Sequence, residues 1–268
     1  AGITEAPKTL DELRNAAQKL KDAGITPFVN GYAEWWVLGN HLANIAFARQ
    51  PDPAAFIQGL YDGTEKIPGN EVFNQWVDLI DLTLEFGNPN PLQTDYNSQV
   101  TEFAVGNAAM TQQGNWTQVA VLQTNPDIQH GFLPMPINNN AADMDKLAVG
   151  VPNNWVVYNK SPVKEQAKTF LNWMVSSDVG RRYLVEEFKF IPAFKSIEAD
   201  ESVLGPMAAD IIRYSKEGKT LTWNWFSFPN GEATSNKFSD VMQKYIGGQS
   251  TRDQLLQDMQ AAWEEMMR

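Results

Sequence analysis

The chain has 268 residues, 32 acidic and 21 basic, and its net charge of −11 repels nucleic acid and anionic lipid headgroups. Cysteine is absent, which excludes a disulfide frame, a thiolate metal site and a cysteine nucleophile. With His41 and His130 as the only histidines, a histidine metal site or a serine–histidine relay has little to draw on, and no metal or cofactor is expected.

Helix signals dominate the chain from its start. Thr9-Leu10-Asp11-Glu12 after Pro7 is a capping-box pattern, and it predicts a helix to about Asp22 that Gly24 stops. Ile25–Asn30 reads as a short strand, 34–49 as a helix behind the Trp35-Trp36 pair, and 53–61 as a short helix. Val72–Phe86 is strongly amphipathic, with Phe73, Trp76, Leu79 and Ile80 apolar and Asp78, Asp81 and Glu85 between them. Asn88-Pro89-Asn90-Pro91 breaks it. A helix over 96–105, a strand over 108–112 and a short helix from Gly114-Asn115-Trp116 follow. His130–Leu133, Leu147–Val151 and Trp155–Tyr158 read as strands. Ser161-Pro162 opens a helix to about Val175, with proline in the first turn where its missing N–H is harmless. Further helices are predicted over 178–187, 203–215, 234–246 and 251–267, with Gly247-Gly248 dividing the last two. Strands interleaved with helices imply an α/β chain with largely parallel sheets.

No apolar run approaches the roughly 18 residues that span a bilayer, so no direct membrane insertion is expected. AGITEAPKTLDEL lacks the basic start and apolar core of a signal peptide, so an export signal is expected outside the chain.

Tryptophan is the unusual component, with nine residues. An indole suits a core, and it also suits the C–H face of a sugar ring. Trp76, Trp173 and Trp263 fall within helical patterns and are expected in the core, whereas Trp35, Trp36, Trp116, Trp155, Trp223 and Trp225 fall at element ends or in polar loops. A sugar binder must also replace the water bonded to each hydroxyl, so amides and carboxylates have to converge beside the rings. Local segments supply that mixture: Asn30 and Glu34 with Trp35 and Trp36; Asn115 with Trp116; Asn153 and Asn154 with Trp155; Asn224, Asn230 and Glu232 with Trp223 and Trp225. Trp155 also suits packing beside a hinge. The set is poor in Arg and Lys, which points to a neutral ligand. Asn115-Trp116-Thr117 matches a glycosylation acceptor, and we read that match as accidental.

The order of motifs resembles the family 1 carbohydrate-binding proteins of ABC importers, the group that includes the maltose-binding proteins. PKTLDELRNAAQKLKDAGITPF resembles the helix and strand that open the family's second lobe, and FAVGNAAMTQQGNWTQ its helix, turn, strand and Gly-x-Trp segment. AVGVPNNWVVYNKSPVKEQAKTFLNWMVSSDVGRRYL resembles the return crossover and two helices, and IGGQSTRDQLLQDMQAAWEE the closing pair. The resemblance implies a periplasmic-binding-protein-like (type II) two-lobe α/β fold. Residues 1–147 and 200–268 would form the second lobe and 150–195 a remnant of the first, with crossovers near 148–152 and 192–198. Members usually carry a first-lobe segment ahead of the point where this chain starts, so the first lobe is expected to be incomplete.

The implied function is a periplasmic or extracellular receptor, lipid-anchored through a preceding segment in some settings, that closes around a mono- or oligosaccharide and docks on ABC permease subunits. By the resemblance, Trp35 falls near a ligand aromatic and Trp116 matches a stacking tryptophan. TWNWFSF, with Trp223 and Trp225, lies where relatives present another. A receptor for a chemosensor would use the same site. A glycoside hydrolase would need paired carboxylates, for which Glu34 and Glu232 are the candidates.

Overall fold

The computed structural model describes residues 1–151 and 154–268. Asn153, and the Pro152 end of the expected crossover, lie outside the described residues. In chain order the elements begin with α1 (Leu10–Asp22), β1 (Thr26–Val29), a π-helix (Val37–Leu42), α2 (Ala43–Ala48), α3 (Pro53–Asp62) and α4 (Glu71–Glu85). Next come α5 (Tyr96–Ala104), β2 (Ala108–Thr111), a 3₁₀ turn (Asn115–Thr117), α6 (Gln118–Thr124), α7 (Ala141–Met144) and β3 (Leu147–Val149). The helices α8 (Lys164–Ser176), α9 (Asp178–Arg182), α10 (Glu201–Leu204) and α11 (Pro206–Lys216) follow, with a second π-turn over Tyr183–Glu187. The chain closes with β4 (Thr220–Thr222), a 3₁₀ turn (Trp225–Ser227), α12 (Glu232–Ile246) and α13 (Arg252–Met266).

The chain divides into two compact units, 1–128 with 133–148 and 219–268, and 129–132 with 149–218. The large unit starts from local signals. Thr9 caps α1 by accepting from the Glu12 amide at 3.1 Å, and the Glu12 carboxylate accepts in return from the Thr9 amide at 3.2 Å. Leu13, Ala16, Ala17 and Leu20 form the buried stripe of α1. β1 pairs in parallel with β2, placing Thr26 opposite Ala108 and Val29 opposite Thr111. β3 and β4 make a second two-stranded sheet.

The core of this unit centres on Phe47, whose ring meets Phe73 edge to face at 5.2 Å and Phe228 at 4.5 Å. Trp76 and Trp263 are fully buried beside it. The indole N–H of Trp76 donates to the Leu42 carbonyl at 2.8 Å, which pins the end of the π-helix to α4. The same π-helix meets α12 at backbone distance, because a Cβ on Gly39 would collide with the Ser235 carbonyl. Arg49 donates to the carbonyls of Met135, Asp143, Met144 and Lys146, holding the loop before β3 against α2.

The second unit has a smaller core, in which Met174, Leu184, Val185 and Ile197 pack with Leu204 and Ala208. Helices α10 and α11 therefore pack here, although the sequence places 200–268 with the larger body. Trp173 differs from expectation. It is 40% exposed and stacks on Phe170, one turn back, with ring centroids 5.7 Å apart. α8 buries Met174 and leaves both rings exposed. Trp155 is also exposed, its ring 6.3 Å from that of Phe190. His130–Leu133 and Trp155–Tyr158 run outside any strand. A strand requires a ladder with a neighbouring strand, whereas the Phe132 amide donates to the Asp210 carboxylate and the Tyr158 carbonyl accepts from the Ser161 amide in a turn.

Candidate functional site

Six rings converge in the large unit. Trp36 lies 5.2 Å from His41, 5.8 Å from Tyr96 and 6.1 Å from Trp116 between centroids. His41 lies 5.1 Å from Trp116 and 5.5 Å from both Trp223 and Trp225. Trp223 and Trp225 are 4.4 Å apart and tilted by 30°, and Trp116 reaches Trp223 at 6.4 Å. The imidazole is thus ringed by four indoles drawn from three separate segments.

The winding of the backbone sets up the first of these contacts. Trp36 and His41 are five residues apart, and an α-helix would turn them about 140° away from each other. The π-helix closes i→i+5 turns. Its wider winding, entered directly from Trp36, brings the two positions closer in register, and the rings meet edge to face. Glu34, just ahead, accepts from the Tyr96 amide at 3.1 Å and ties the Trp36 segment to the start of α5. Asp95 caps that helix by accepting from the Ser98 amide at 2.8 Å, and this bonding holds its carboxyl below the usual range.

Trp116 is placed by a relay of amides. Its indole N–H donates to Gln113 Oε1 at 3.0 Å, Gln113 donates to Gln99 Oε1 at 2.7 Å, and Gln99 donates to the Val29 carbonyl at 3.1 Å. Gln99 is fully buried, and Val29 ends the strand paired with β2, so the chain of bonds anchors the indole to the sheet. Gly114 lets the ring fold back over the turn, since a Cβ there would overlap the six-membered ring of Trp116. Trp116 remains 37% exposed.

The Trp223–Trp225 segment is held from α2. Asn44 Nδ2 donates to the Thr222 carbonyl at 3.2 Å, and Asn44 Oδ1 accepts from the Asn224 amide at 2.6 Å. Trp225 is buried and Trp223 partly open. His41 is mostly buried among these rings, and loss of solvent pushes its pKa down to about 4. At neutral pH it is an uncharged imidazole, with one donor and one acceptor nitrogen.

The expected residues divide accordingly. The structure brings together Trp36, Trp116, Trp223 and Trp225, with Asn115 heading the 3₁₀ turn that carries Trp116. Glu34 stands behind the cluster as a tether. Trp35 is partly buried next to Trp36, but among the described residues Trp36 is the member of the pair that makes the ring contacts. Asn30 lies elsewhere. It is 2% exposed, and its Nδ2 is committed to the Thr83 carbonyl at 2.8 Å, where it braces β1 against α4. Glu232 is exposed in the first turn of α12 and Asn230 donates to the Met266 carbonyl at 2.9 Å. Asn154 is exposed in the second unit. A depression of about 700 Å³ on α8, lined by Glu165, Gln166, Thr169, Phe170 and Trp173, contains none of the candidates. Sequence reasoning missed His41, Asn44 and the glutamine relay. For His41 and Asn44 the one local signal was a polar residue inside an otherwise apolar helical stretch, whereas Gln99 sits in the polar helix α5 and Gln113 in the loop after β2, where nothing local marks them.

Solved structures share this fold at low identity. The binding protein RafE in complex with raffinose is 18% identical, with a TM-score of 0.77 over 98% of this chain and 67% of its own. A chitin oligosaccharide binding protein is 21% identical, with a TM-score of 0.78 over 99% and 66%. A sugar transporter of Bacillus licheniformis in complex with stachyose is 19% identical, with a TM-score of 0.76 over 98% and 67%. The chain spans about two thirds of the length of these proteins. No curated protein matches it. The architecture is the α/β fold of the type II solute-binding proteins. The profile described as Bacterial extracellular solute-binding protein matches residues 1–181, and the chain belongs to that family.

Proposed function

We propose that the chain is the greater part of a carbohydrate receptor that hands a neutral mono- or oligosaccharide to the permease of an ABC importer outside the cytoplasmic membrane. The observation that carries this reading is the grouping of Trp36, Trp116, Trp223 and Trp225 around His41. Flat apolar faces with few charges suit the C–H faces of sugar rings and offer an anionic solute no counter-charge. Among the described residues, the cations that reach aromatic rings reach Phe86, Tyr183 and Tyr214, all outside the cluster. The raffinose, stachyose and chitin oligosaccharide proteins of like fold support the same ligand class. Among the described residues no helix is long and apolar enough to cross a membrane.

We read the chain as a binder rather than a glycosidase. Glu34 commits a carboxylate oxygen to the start of α5, and Glu232 stands in solvent at the start of α12. Calorimetry of the full chain against raffinose, stachyose, a chitin oligosaccharide, amino acids and phosphate tests the reading. Saccharide binding without hydrolysis is the expected result. Binding confined to amino acids or phosphate rejects it.

A further inference from the structure

We propose that His41 is the hydrogen-bonding centre of this aromatic subsite and reads one hydroxyl of the sugar ring laid against the indoles. The inference rests on the carbohydrate reading above. Its starting point is an imbalance in what the cluster offers. Trp36, Trp116 and Trp223 present apolar faces with Trp225 buried behind them, and an indole nitrogen donates but never accepts. Trp116 has already given its N–H to Gln113. A sugar hydroxyl removed from water needs partners for both its proton and its lone pairs, and the rings supply no acceptor.

His41 supplies both functions from the middle of the rings. Its centroid lies within 5.5 Å of those of Trp36, Trp116, Trp223 and Trp225. Among the described residues neither of its nitrogens has a hydrogen-bond partner in the protein. Burial keeps it neutral, so one nitrogen donates while the other accepts. His41 is partly buried, and neither of its nitrogens is among the side-chain atoms enclosed without a partner, so both remain reachable by a ligand hydroxyl. A phenylalanine would fill the same space but offer that hydroxyl nothing.

The backbone beneath it is fixed. Trp76 holds the Leu42 carbonyl, and Gly39 brings the π-helix into contact with α12, so the imidazole is carried on a clamped turn. A π-turn that swings one side chain out of α register is a recurrent device at functional sites.

The test uses the full chain and whichever of raffinose, stachyose or the chitin oligosaccharide it binds. His41→Phe keeps a ring and removes both nitrogens, whereas His41→Gln keeps a donor and an acceptor. Affinity is expected to fall about tenfold or more in His41→Phe, the loss of one well-made buried bond, and to recover in part in His41→Gln. A second readout needs no change at this position. In His130→Gln the single remaining histidine is His41, and its imidazole nitrogen resonances are expected to shift on saturation with the saccharide. Wild-type affinity in His41→Phe, or nitrogen resonances unmoved at saturation, overturns the role of His41 alone. A wild-type chain silent to every saccharide overturns the carbohydrate reading and this inference with it.

Discussion

The side chain of Asn44 holds the backbone on both sides of Trp223. It donates to the Thr222 carbonyl at 3.2 Å and accepts from the Asn224 amide at 2.6 Å. Asn44 is 1% exposed, so these bonds are made where water does not compete. One residue of α2 thus sets the height of the Trp223–Trp225 pair over the ring cluster, three positions after the histidine that the pair touches. Asn44→Leu keeps the volume and removes both bonds. Its expected cost is about 1–3 kcal/mol of stability, the range for buried groups left unpaired. Saccharide affinity is expected to fall as Trp223 loses its position. Thermal unfolding beside calorimetry checks both, and unchanged affinity would show that Trp223 holds its place without the clamp.

His41 makes stability depend on pH in a defined window. Desolvation lowers its pKa to about 4 in the fold, while an unfolded histidine titrates near 6.5. Between those values the unfolded chain binds a proton that the folded chain refuses, so stability falls as pH drops from about 6.5 to about 4. Above about 6.5 this contribution is constant, and below about 4 it has been lost. A shift of that size corresponds to about 3 kcal/mol. Asp95 and Asp200, whose hydrogen bonds lower their pKa values, lose stability toward the acid end as well, so the measurement has to be a difference. Chemical denaturation of wild type and His41→Phe at pH 7 and pH 4.5 isolates the term. The variant is expected to lose less stability over that interval. Equal slopes would mean that solvent reaches the imidazole.

What the sequence shows clearly is what short stretches decide for themselves. The Thr9 and Glu12 exchange that starts α1 lies within four residues. The buried stripe of α4, with Phe73, Trp76, Leu79 and Ile80, repeats with the helical period. Strands were harder, because Trp155–Tyr158 carries β-forming residues but joins no sheet among the described residues, whereas Thr220–Thr222 becomes β4 because β3 lies beside it. In the site, the tryptophans stood out through their loop positions, and Gly114 marked the turn under Trp116. The centre of the cluster stayed hidden, since a π-turn has no composition of its own. Read with the α period, His41 points away from Trp36. Asn30 misled in the opposite direction. An amide beside an aromatic segment suits a ligand, but here it serves the Thr83 carbonyl, a partner 53 residues away.

Gly114 provides a direct test of whether the Trp116 indole is a working surface. Its backbone sits at φ −123° and ψ −178°, an extended conformation open to any L residue. Gly114→Ala therefore brings no backbone strain, and its methyl group meets the six-membered ring of Trp116. The ring is expected to swing off the turn and give up its bond to Gln113, while the buried core stays intact. Trp116→Ala removes the ring outright. If the indole stacks on a sugar, its loss should weaken binding by about 1–3 kcal/mol, the scale measured for bases stacked on aromatic side chains. Trp116 is 37% exposed, so stability should change far less than the roughly 3–5 kcal/mol that follows truncation of a core aromatic. The two variants should then share one phenotype: lower affinity, a near-wild-type melting temperature without ligand, and altered tryptophan fluorescence. Wild-type affinity in Trp116→Ala, with a large drop in ligand-free stability, would make this tryptophan a structural prop. Weak binding in Trp116→Ala but not in Gly114→Ala would mean that the ring tolerates displacement and that its area, not its orientation, carries the contact.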